Sequence, residues 1–176
     1  MLYDEINVQD VVDSEAAMEF MKEATKLASS KDLEDIGLQL EKKSQQFSNI
    51  LSEDNISNLT ENEFRQLVGS IFSIKRKANR IIKANGFESL HASIAELLYG
   101  DGSLEKRFNT FTESIEQLDG PMRVNFASEL LHFSNPKKYW LWTNWIWDSQ
   151  TRTGALPLVV QEGVDLTGQS HGEVYV

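Results

Sequence analysis

Thr60-Glu61-Asn62-Glu63-Phe64-Arg65-Gln66-Leu67-Val68 opens the clearest helical pattern in this sequence of 176 residues. Thr60 and Glu63 form a capping box, in which the hydroxyl accepts from the Glu63 amide and the carboxylate reaches back to the Thr60 amide. Apolar side chains then recur with a period of 3.6 residues: Phe64, Leu67, Val68, Ile71, Phe72, Ile74, Ala78, Ile81 and Ile82. Asn85-Gly86 supplies a left-handed stop. The pattern predicts a single helix over about residues 61–84.

The second half of this predicted helix is locally basic. Lys75, Arg76, Lys77, Arg80 and Lys83 occur with no acid among them. Arg76, Lys77, Arg80 and Lys83 lie opposite the apolar stripe and are called the basic strip below. One interpretation is a solvated face that complements the helix dipole. The alternatives are a docking surface for an acidic partner, for phosphate, or for the acidic first helix of the same or another copy.

Two helices are predicted before Thr60. Residues 14–29 follow an Asp13 or Ser14 cap and place apolar side chains at helical spacing: Ala17, Phe20, Met21, Ala24, Leu27 and Ala28. A second helix begins near Lys31 with a weaker apolar period, and Gly37 weakens it by about 1 kcal/mol relative to alanine. Residues 48–59, rich in Ser, Asn and Asp, predict a loop. Residues 1–40 carry ten acids against three lysines, so this end of the chain is acidic.

Three helices are predicted after Gly86. The first covers residues 87–99 and ends at Gly100-Asp101-Gly102, and the second runs from Ser103 to about residue 118. Asp119-Gly120-Pro121 reads as a tight turn. The third helix is mostly apolar, covers residues 124–133 and ends at Asn135-Pro136, because proline disfavours helical geometry in the residue before it.

All four tryptophans lie in Tyr139-Trp140-Leu141-Trp142-Thr143-Asn144-Trp145-Ile146-Trp147, called the tryptophan segment below. As a helix it would be apolar around nearly its whole circumference, which is typical of a buried helix. Its aromatic side chains could equally form a partner or ligand surface, since tryptophan is enriched in interface hot spots. The candidate partner-binding residues are Tyr139, Trp140, Trp142, Trp145 and Trp147. His132 and Asn144 are the polar groups expected to be enclosed nearby, each with a hydrogen-bond partner.

Beyond Asp148 the pattern changes to short apolar runs separated by Thr153-Gly154, Glu162-Gly163 and Thr167-Gly168. Together with Glu173-Val174-Tyr175-Val176, these runs predict short strands or extended segments. The predicted fold is therefore mainly α: one helical domain of five to seven helices with a short C-terminal β-like or irregular tail. We divide the chain into an N-terminal extension (residues 1–11), the helical domain (12–148) and the tail (149–176).

Composition restricts the chemistry. There is no cysteine, and the three histidines offer no metal-binding pair at helical spacing, so no metal site and no cofactor are predicted. The net charge of −10 disfavours general nucleic-acid binding. No phosphate loop, nucleophile elbow or zinc-protease helix is present, so no catalytic residue is assigned. Neither a secretory signal nor an apolar run of membrane-spanning length occurs, which predicts a cytoplasmic protein with no membrane partner.

One stretch of about 25 residues, 118–142, is similar to a known family. Leu118-Asp119-Gly120-Pro121, the apolar helix that follows, and Asn135-Pro136-Lys137-Lys138-Tyr139 with Leu141-Trp142 resemble the helix-hairpin-helix region of DNA glycosylases and related helical modules. The resemblance implies a helical architecture and DNA binding. Pro121 removes an amide that would bind phosphate, and no carboxylate stands near Thr143 and Asn144, where the family places its catalytic aspartate. Glycosylase activity is therefore not expected.

These observations favour a non-catalytic interaction, assembly or regulatory domain that contacts a protein partner through the tryptophan segment. Two alternatives stay open at this point. A nucleic-acid-binding helical module predicts salt-dependent binding through Arg76 and Arg80. A small-molecule sensor or enzyme predicts a ligand that quenches the tryptophans and raises the melting temperature.

Overall fold

The computed structural model describes residues 11–176, and within them nine α-helices carry the fold. They are α1 Ser14–Leu27, α2 Ser30–Ile50, α3 Glu53–Ile56, α4 Glu61–Ser70, α5 Ala78–Asn85, α6 Phe87–Tyr99, α7 Leu104–Ser114, α8 Gly120–Ser134 and α9 His171–Tyr175. A short 3₁₀ helix covers Leu156–Leu158. Over the described residues the protein is mainly helical, as predicted, and its C-terminal tail is irregular. None of the helices in residues 11–176 is long and apolar enough to cross a membrane.

Helix α8 lies at the centre of the core. Eight of its fifteen residues are buried, and they occupy more than one face: Asn125, Phe126, Ala127, Ser128, Glu129, Leu130, Leu131 and Phe133. It packs against α2, α6 and α7. Phe64, Phe108 and Phe126 are fully buried, and Phe111 meets Phe126 edge to face with ring centroids 5.2 Å apart. Because each buried aromatic ring removes a large apolar area from water, this cluster supplies much of the stability of the fold.

Helix α1 and the first half of α2 extend beyond this core. Helix α1 has no buried residue, and α2 has only Phe47, whose ring lies 5.6 Å from that of Phe133 on α8. The start of α1 is attached to the tail, where the Asp13 amide donates to the Val159 carbonyl at 2.9 Å. Residues 14–40 therefore form an arm that presents apolar side chains to solvent.

The predicted single helix over residues 61–84 is wrong in its middle. Helix α4 ends at Ser70, Ile71 has an extended ψ of 117°, and residues 72–77 form turns before α5 begins at Ala78. The cause is the buried carboxylate of Glu129 on α8. It accepts the amides of Phe72 at 2.9 Å and Ser73 at 2.8 Å, which in an unbroken helix would bond to carbonyls one turn earlier. The break still leaves Ile71 and Ile74 fully buried.

Three other predictions require correction. The tryptophan segment is not a helix but an irregular stretch with one turn at residues 144–146, and the loop predicted at 48–59 contains the short helix α3. Within the described part of the tail only isolated bridges occur, Val12 with Val160 and Asp148 with Thr153, and residues 171–175 are helical rather than extended. With the division of the 61–84 helix, α3 and α9 raise the number of helices above the predicted five to seven. The predicted extension, residues 1–11, lies outside the described residues except for Val11.

Local capping signals were read correctly. Asp13 caps α1, and Thr60 and Glu63 form the predicted capping box at the start of α4. Ser29 and Asp32 form a second box at the start of α2. In each box the hydroxyl donates to the carboxylate, and this hydrogen bond lowers the pKa of Glu63 and of Asp32. The boxes therefore favour the ionised carboxylates.

Thr60→Ala is expected to return the pKa of Glu63 towards its ordinary value, because the mutation removes the hydroxyl that binds the carboxylate. The Glu63 pKa is lowered by folding. Its contribution to stability is thus complete above the ordinary glutamate pKa and is lost as the pH falls through the lowered value. NMR titration of the Glu63 carboxyl group measures this shift. Asp32, whose capping box is separate, is the internal control and should keep its lowered pKa.

Candidate functional site

The tryptophan segment is held on α8 by three polar side chains spaced along that helix. The Asn144 amide donates to Asn125 Oδ1 at 3.1 Å, and the Asn125 side chain donates in return to the Asn144 side-chain oxygen. Ser128 Oγ accepts the Trp142 amide. His132 Nδ1 lies 2.9 Å from the Tyr139 carbonyl oxygen. Asn125, Ser128 and His132 thus replace the regular hydrogen bonds that this irregular backbone lacks.

The five predicted partner-binding residues do not share one surface. Tyr139 and Trp147 are buried, at 5% and 7% exposure, and the Trp147 indole donates to the Leu166 carbonyl at 3.0 Å. Trp142 is partly buried and packs against the core. These three side chains anchor the segment and the tail. The segment therefore combines the two predicted arrangements, since part of it belongs to the aromatic core and part faces solvent.

Trp145 and Trp140 are the two tryptophans that face solvent, at 82% and 42% exposure. Trp145 borders an open groove of about 580 Å³ together with Leu158, which is 60% exposed. Tryptophan side chains are well buried on average, so internal packing does not explain an indole with this degree of exposure. Trp145 is therefore the side chain of the segment best placed for contact with another molecule.

The backbone around Trp145 is fixed by a tight return of the chain. The Trp145 carbonyl accepts the Ala155 amide and the Ile146 carbonyl accepts the Leu156 amide, both at 2.9 Å. Gly154 makes this return possible, since its φ is +144° and a Cβ there would overlap the Ile146 carbonyl group. Trp145 is consequently an exposed side chain on an ordered backbone.

The C-terminal helix α9 packs against α7 and also contacts the tryptophan segment. Tyr175 stacks on Phe108 with ring centroids 4.5 Å apart, and its hydroxyl donates to the Trp140 carbonyl at 2.9 Å. Gly172 lies against the backbone of α7, where its amide donates to Asn109 Oδ1 at 2.7 Å. Residues near the end of the chain therefore help to position the tryptophan segment.

The basic strip is divided by the helix break. Arg76 and Lys77 lie in the turns of residues 72–77, and Arg80 and Lys83 lie on α5. Arg76, Arg80 and Lys83 are exposed, whereas Lys77 is half-buried with its Nζ 2.9 Å from the sulfur of Met122. Phe72, beside the strip, is 68% exposed, and the Lys75 ammonium lies 4.9 Å from the centre of its ring. This corner combines positive charge with an exposed aromatic side chain.

A small polar cleft lies where α7, α9 and the end of the tryptophan segment meet. Ser149 and His171 border both of the openings found there, and the remaining polar lining side chains are Asn109, Thr112, Glu113, Asn125, Asn144, Asp148, Gln150, Gln169 and Ser170. Among residues 11–176 no three His, Asp or Glu side chains are grouped to hold a metal ion. The cleft has no assigned chemistry.

Several residues that position the tryptophan segment or the turn beside the basic strip were not predicted from the sequence to be site residues: Asn125, Ser128, Glu129, Gly154 and Tyr175. One signal was available for three of them. Asn125, Ser128 and Glu129 are polar positions within an otherwise apolar helix, at the spacing of one broad face, and all three are buried. Polar side chains that a core helix buries are expected to bind a neighbouring backbone. Gly154 and Tyr175 carried no comparable signal.

In the stretch that resembles the helix-hairpin-helix region, Asp119 is the N-cap of α8. Its carboxylate accepts the Met122 amide at 2.9 Å, and Gly120 and Pro121 form the first turn of the helix. Comparisons with protein-family models, with curated proteins and with solved structures found no match.

Proposed function

We propose that this chain is a non-catalytic interaction domain that binds a protein partner in the cytoplasm through Trp145 and the groove beside it. The observation that carries the proposal is the 82% exposure of Trp145 on a backbone that is hydrogen-bonded on both sides. An ordered aromatic side chain loses little conformational entropy when it enters a partner's pocket. Leu158 and the apolar part of the groove provide the surrounding contacts.

The expected partner presents an apolar pocket that accepts an indole ring, bordered by groups that tolerate negative charge. Asp148 lies at the edge of the groove, and the chain as a whole carries a net charge of −10. Electrostatic attraction to a basic rim on the partner would raise the rate of association. Nucleic acid is a poorer fit for this surface because a strand of phosphates would be repelled.

Trp145→Ala is expected to weaken the partner complex by about 2 kcal/mol, or about thirtyfold, as is typical of an interface hot spot. The fold should be unaffected because the side chain is exposed. Leu27→Ala is the control, since it truncates an apolar side chain that is 90% exposed on α1. Trp142→Ala is unsuitable as a binding test because Trp142 packs against the core.

The measurement is parallel capture of partners from native extract with the wild type and both variants, with and without nuclease, followed by titration of the purified partner. A protein recovered by the wild type and by Leu27→Ala, but lost with Trp145→Ala, supports the proposal. Equal recovery by all three proteins contradicts it. Material that disappears on nuclease treatment, with a steep dependence on salt, would instead support the nucleic-acid alternative.

A further inference from the structure

Helix α2 has an apolar stripe that is only half covered. Leu33, Ile36 and Leu40 follow one another at three- and four-residue spacing and are 44%, 50% and 46% exposed. The next positions of the same stripe, Lys43 and Phe47, pack onto α8. Leu40 also borders an open groove of about 800 Å³ between α2 and the end of α8. The exposed half of the stripe therefore continues directly from the core and has the length of two helical turns.

Gly37 lies on this face, between Ile36 and Leu40. Glycine weakens the interior of a helix, and among residues 11–176, apart from the neighbouring backbone of α2, no atom lies within 4 Å of the position that a Cβ would take. Contacts among these residues therefore give no reason for a glycine at this position. A glycine on an apolar face does allow the backbone of another helix to approach closely.

The two ends of the stripe carry opposite charge. Asp32 and Glu34 lie near the start of α2 on the two flanks of the stripe, whereas Lys31 and Asp35 lie on the opposite face of the helix. At the other end, Lys43 and the turn that contains Lys75 and Arg76 come together. They do so because the Lys43 ammonium and the Phe72 amide both bind the Glu129 carboxylate, at 3.3 and 2.9 Å.

The distribution of charge along the stripe favours a second copy of this chain as the partner and also sets its orientation. A second copy placed antiparallel along the stripe brings the acidic end of each copy over the basic end of the other, and a two-fold axis satisfies both contacts at once. A parallel arrangement would place like charges together. In the antiparallel arrangement the two-fold axis passes near Ile36 and Gly37, so that Leu33 of each copy lies against Leu40 of the other.

We propose that two copies of this chain associate through antiparallel packing of the first half of α2, with the acidic start of each helix lying over the second copy's Lys75 and Arg76. Phe72, exposed beside Lys75, extends the apolar contact at each end. This surface is separate from Trp145, and it goes beyond the proposed function. In this arrangement the exposed stripe of α2 is covered, and Lys75 and Arg76 lie near carboxylates of the second copy.

The first test is the molecular mass in solution of the full chain, measured by sedimentation velocity up to about 100 µM protein. The wild type is expected to be a dimer, and Leu33→Asp combined with Ile36→Asp should weaken it more than about tenfold. Trp145→Ala is the matched control and should leave the dimer intact. A wild type that stays monomeric, or a dimer unaffected by the double substitution, overturns the proposal.

The second test addresses direction through a charge exchange. Glu34→Lys on the flank of the stripe gives one variant, and Lys75→Glu with Arg76→Glu gives the other; all three side chains are exposed. Each variant alone should be mainly monomeric, because both of its contacts oppose like charges. An equimolar mixture should form heterodimers, since both contacts are then again complementary. Failure of the mixture to dimerise when each variant is folded overturns the antiparallel arrangement.

Gly37→Ala is expected to stabilise the folded monomer but to weaken the association of two copies. In the monomer, alanine favours the helix and should raise the melting temperature by about 2–4 °C. In the dimer, the added methyl group lies where the second helix approaches and should weaken association several-fold. Stabilisation of the monomer with unchanged association would contradict close packing at Gly37. The measurements are thermal unfolding of the monomeric Leu33→Asp, Ile36→Asp background and sedimentation of the otherwise wild-type chain.

Discussion

Glu129→Gln is expected to lower the free energy of unfolding by about 3 kcal/mol, a large change for a nearly isosteric substitution. The carboxylate is 3% exposed and binds the amides of Phe72 and Ser73 together with the Lys43 ammonium. Glutamine has one acceptor oxygen, so one buried amide would face an NH₂ group instead of an acceptor. The Lys43 ammonium, 21% exposed, would also lose its counter-charge. Leaving buried polar groups unpaired costs more than the hydrogen bonds contribute.

Urea unfolding followed by tryptophan fluorescence measures this loss. Glu113→Gln makes the same chemical change at an exposed position of α7 and should alter stability by less than about 0.5 kcal/mol. Lys43→Met should also destabilise the chain, because it leaves the buried Glu129 carboxylate without its counter-charge although both amide contacts remain. If the Glu129 and Glu113 variants were equally stable, the account of the break after α4 would be contradicted.

The same carboxylate explains why the sequence pattern failed between residues 71 and 77. The apolar period is continuous from Phe64 to Ile82, and it describes correctly which side chains are buried except for Phe72, which is 68% exposed. It cannot show that Glu129, more than fifty residues away, removes two amides from the helix. A segment can bury one side without forming the hydrogen bonds of a helix. Residues 72–77 do this, because Ile74 is buried although the backbone forms turns.

The helix ends marked by a capping residue or a proline were predicted well because their causes are local, whereas α8 begins at Gly120, where a tight turn was predicted, and α7 ends at Ser114, before the predicted end near residue 118. The hydroxyl of Thr60, the carboxylate of Asp13 and the proline after Asn135 each act within one turn of the residue they affect. The existence of most helices and the identity of much of the core followed from the same short-range patterns. Those patterns do not show which helices pack against each other.

The orientation of the tryptophans could not be predicted for a related reason. In an apolar run every side chain is compatible with burial, so periodicity does not distinguish Trp147 from Trp145. The distinction comes from α8, whose Asn125 and Ser128 bind the backbone near residues 142 and 144 and thereby set the direction of each side chain. Polar residues in a core helix proved more informative about the candidate site than the aromatic run itself.

Gly154→Ala is expected to remove partner binding at least as completely as Trp145→Ala, and to destabilise the chain by about 3 kcal/mol. At a φ of +144°, alanine is strained whatever its surroundings. Its Cβ would also overlap the Ile146 carbonyl and lie 2.9 Å from the Trp147 Cα. Relief of this overlap requires residues 145–147 to move away from residues 154–156, which breaks the two hydrogen bonds that order the backbone at Trp145.

Gly163→Ala is the control that separates strain from overlap, because Gly163 has a φ of +89° but, apart from its two chain neighbours, none of the described residues 11–176 lies within 4 Å of its Cβ position. It should cost about 1 kcal/mol from backbone strain alone and leave the Trp145 surface in place. Amide hydrogen exchange gives the decisive comparison. Faster exchange at Ala155 and Leu156 in Gly154→Ala, with slow exchange retained in α8, would show that the surface is lost while the core persists. If Gly154→Ala instead kept both slow exchange and partner binding, an ordered backbone could not be what makes Trp145 a binding residue.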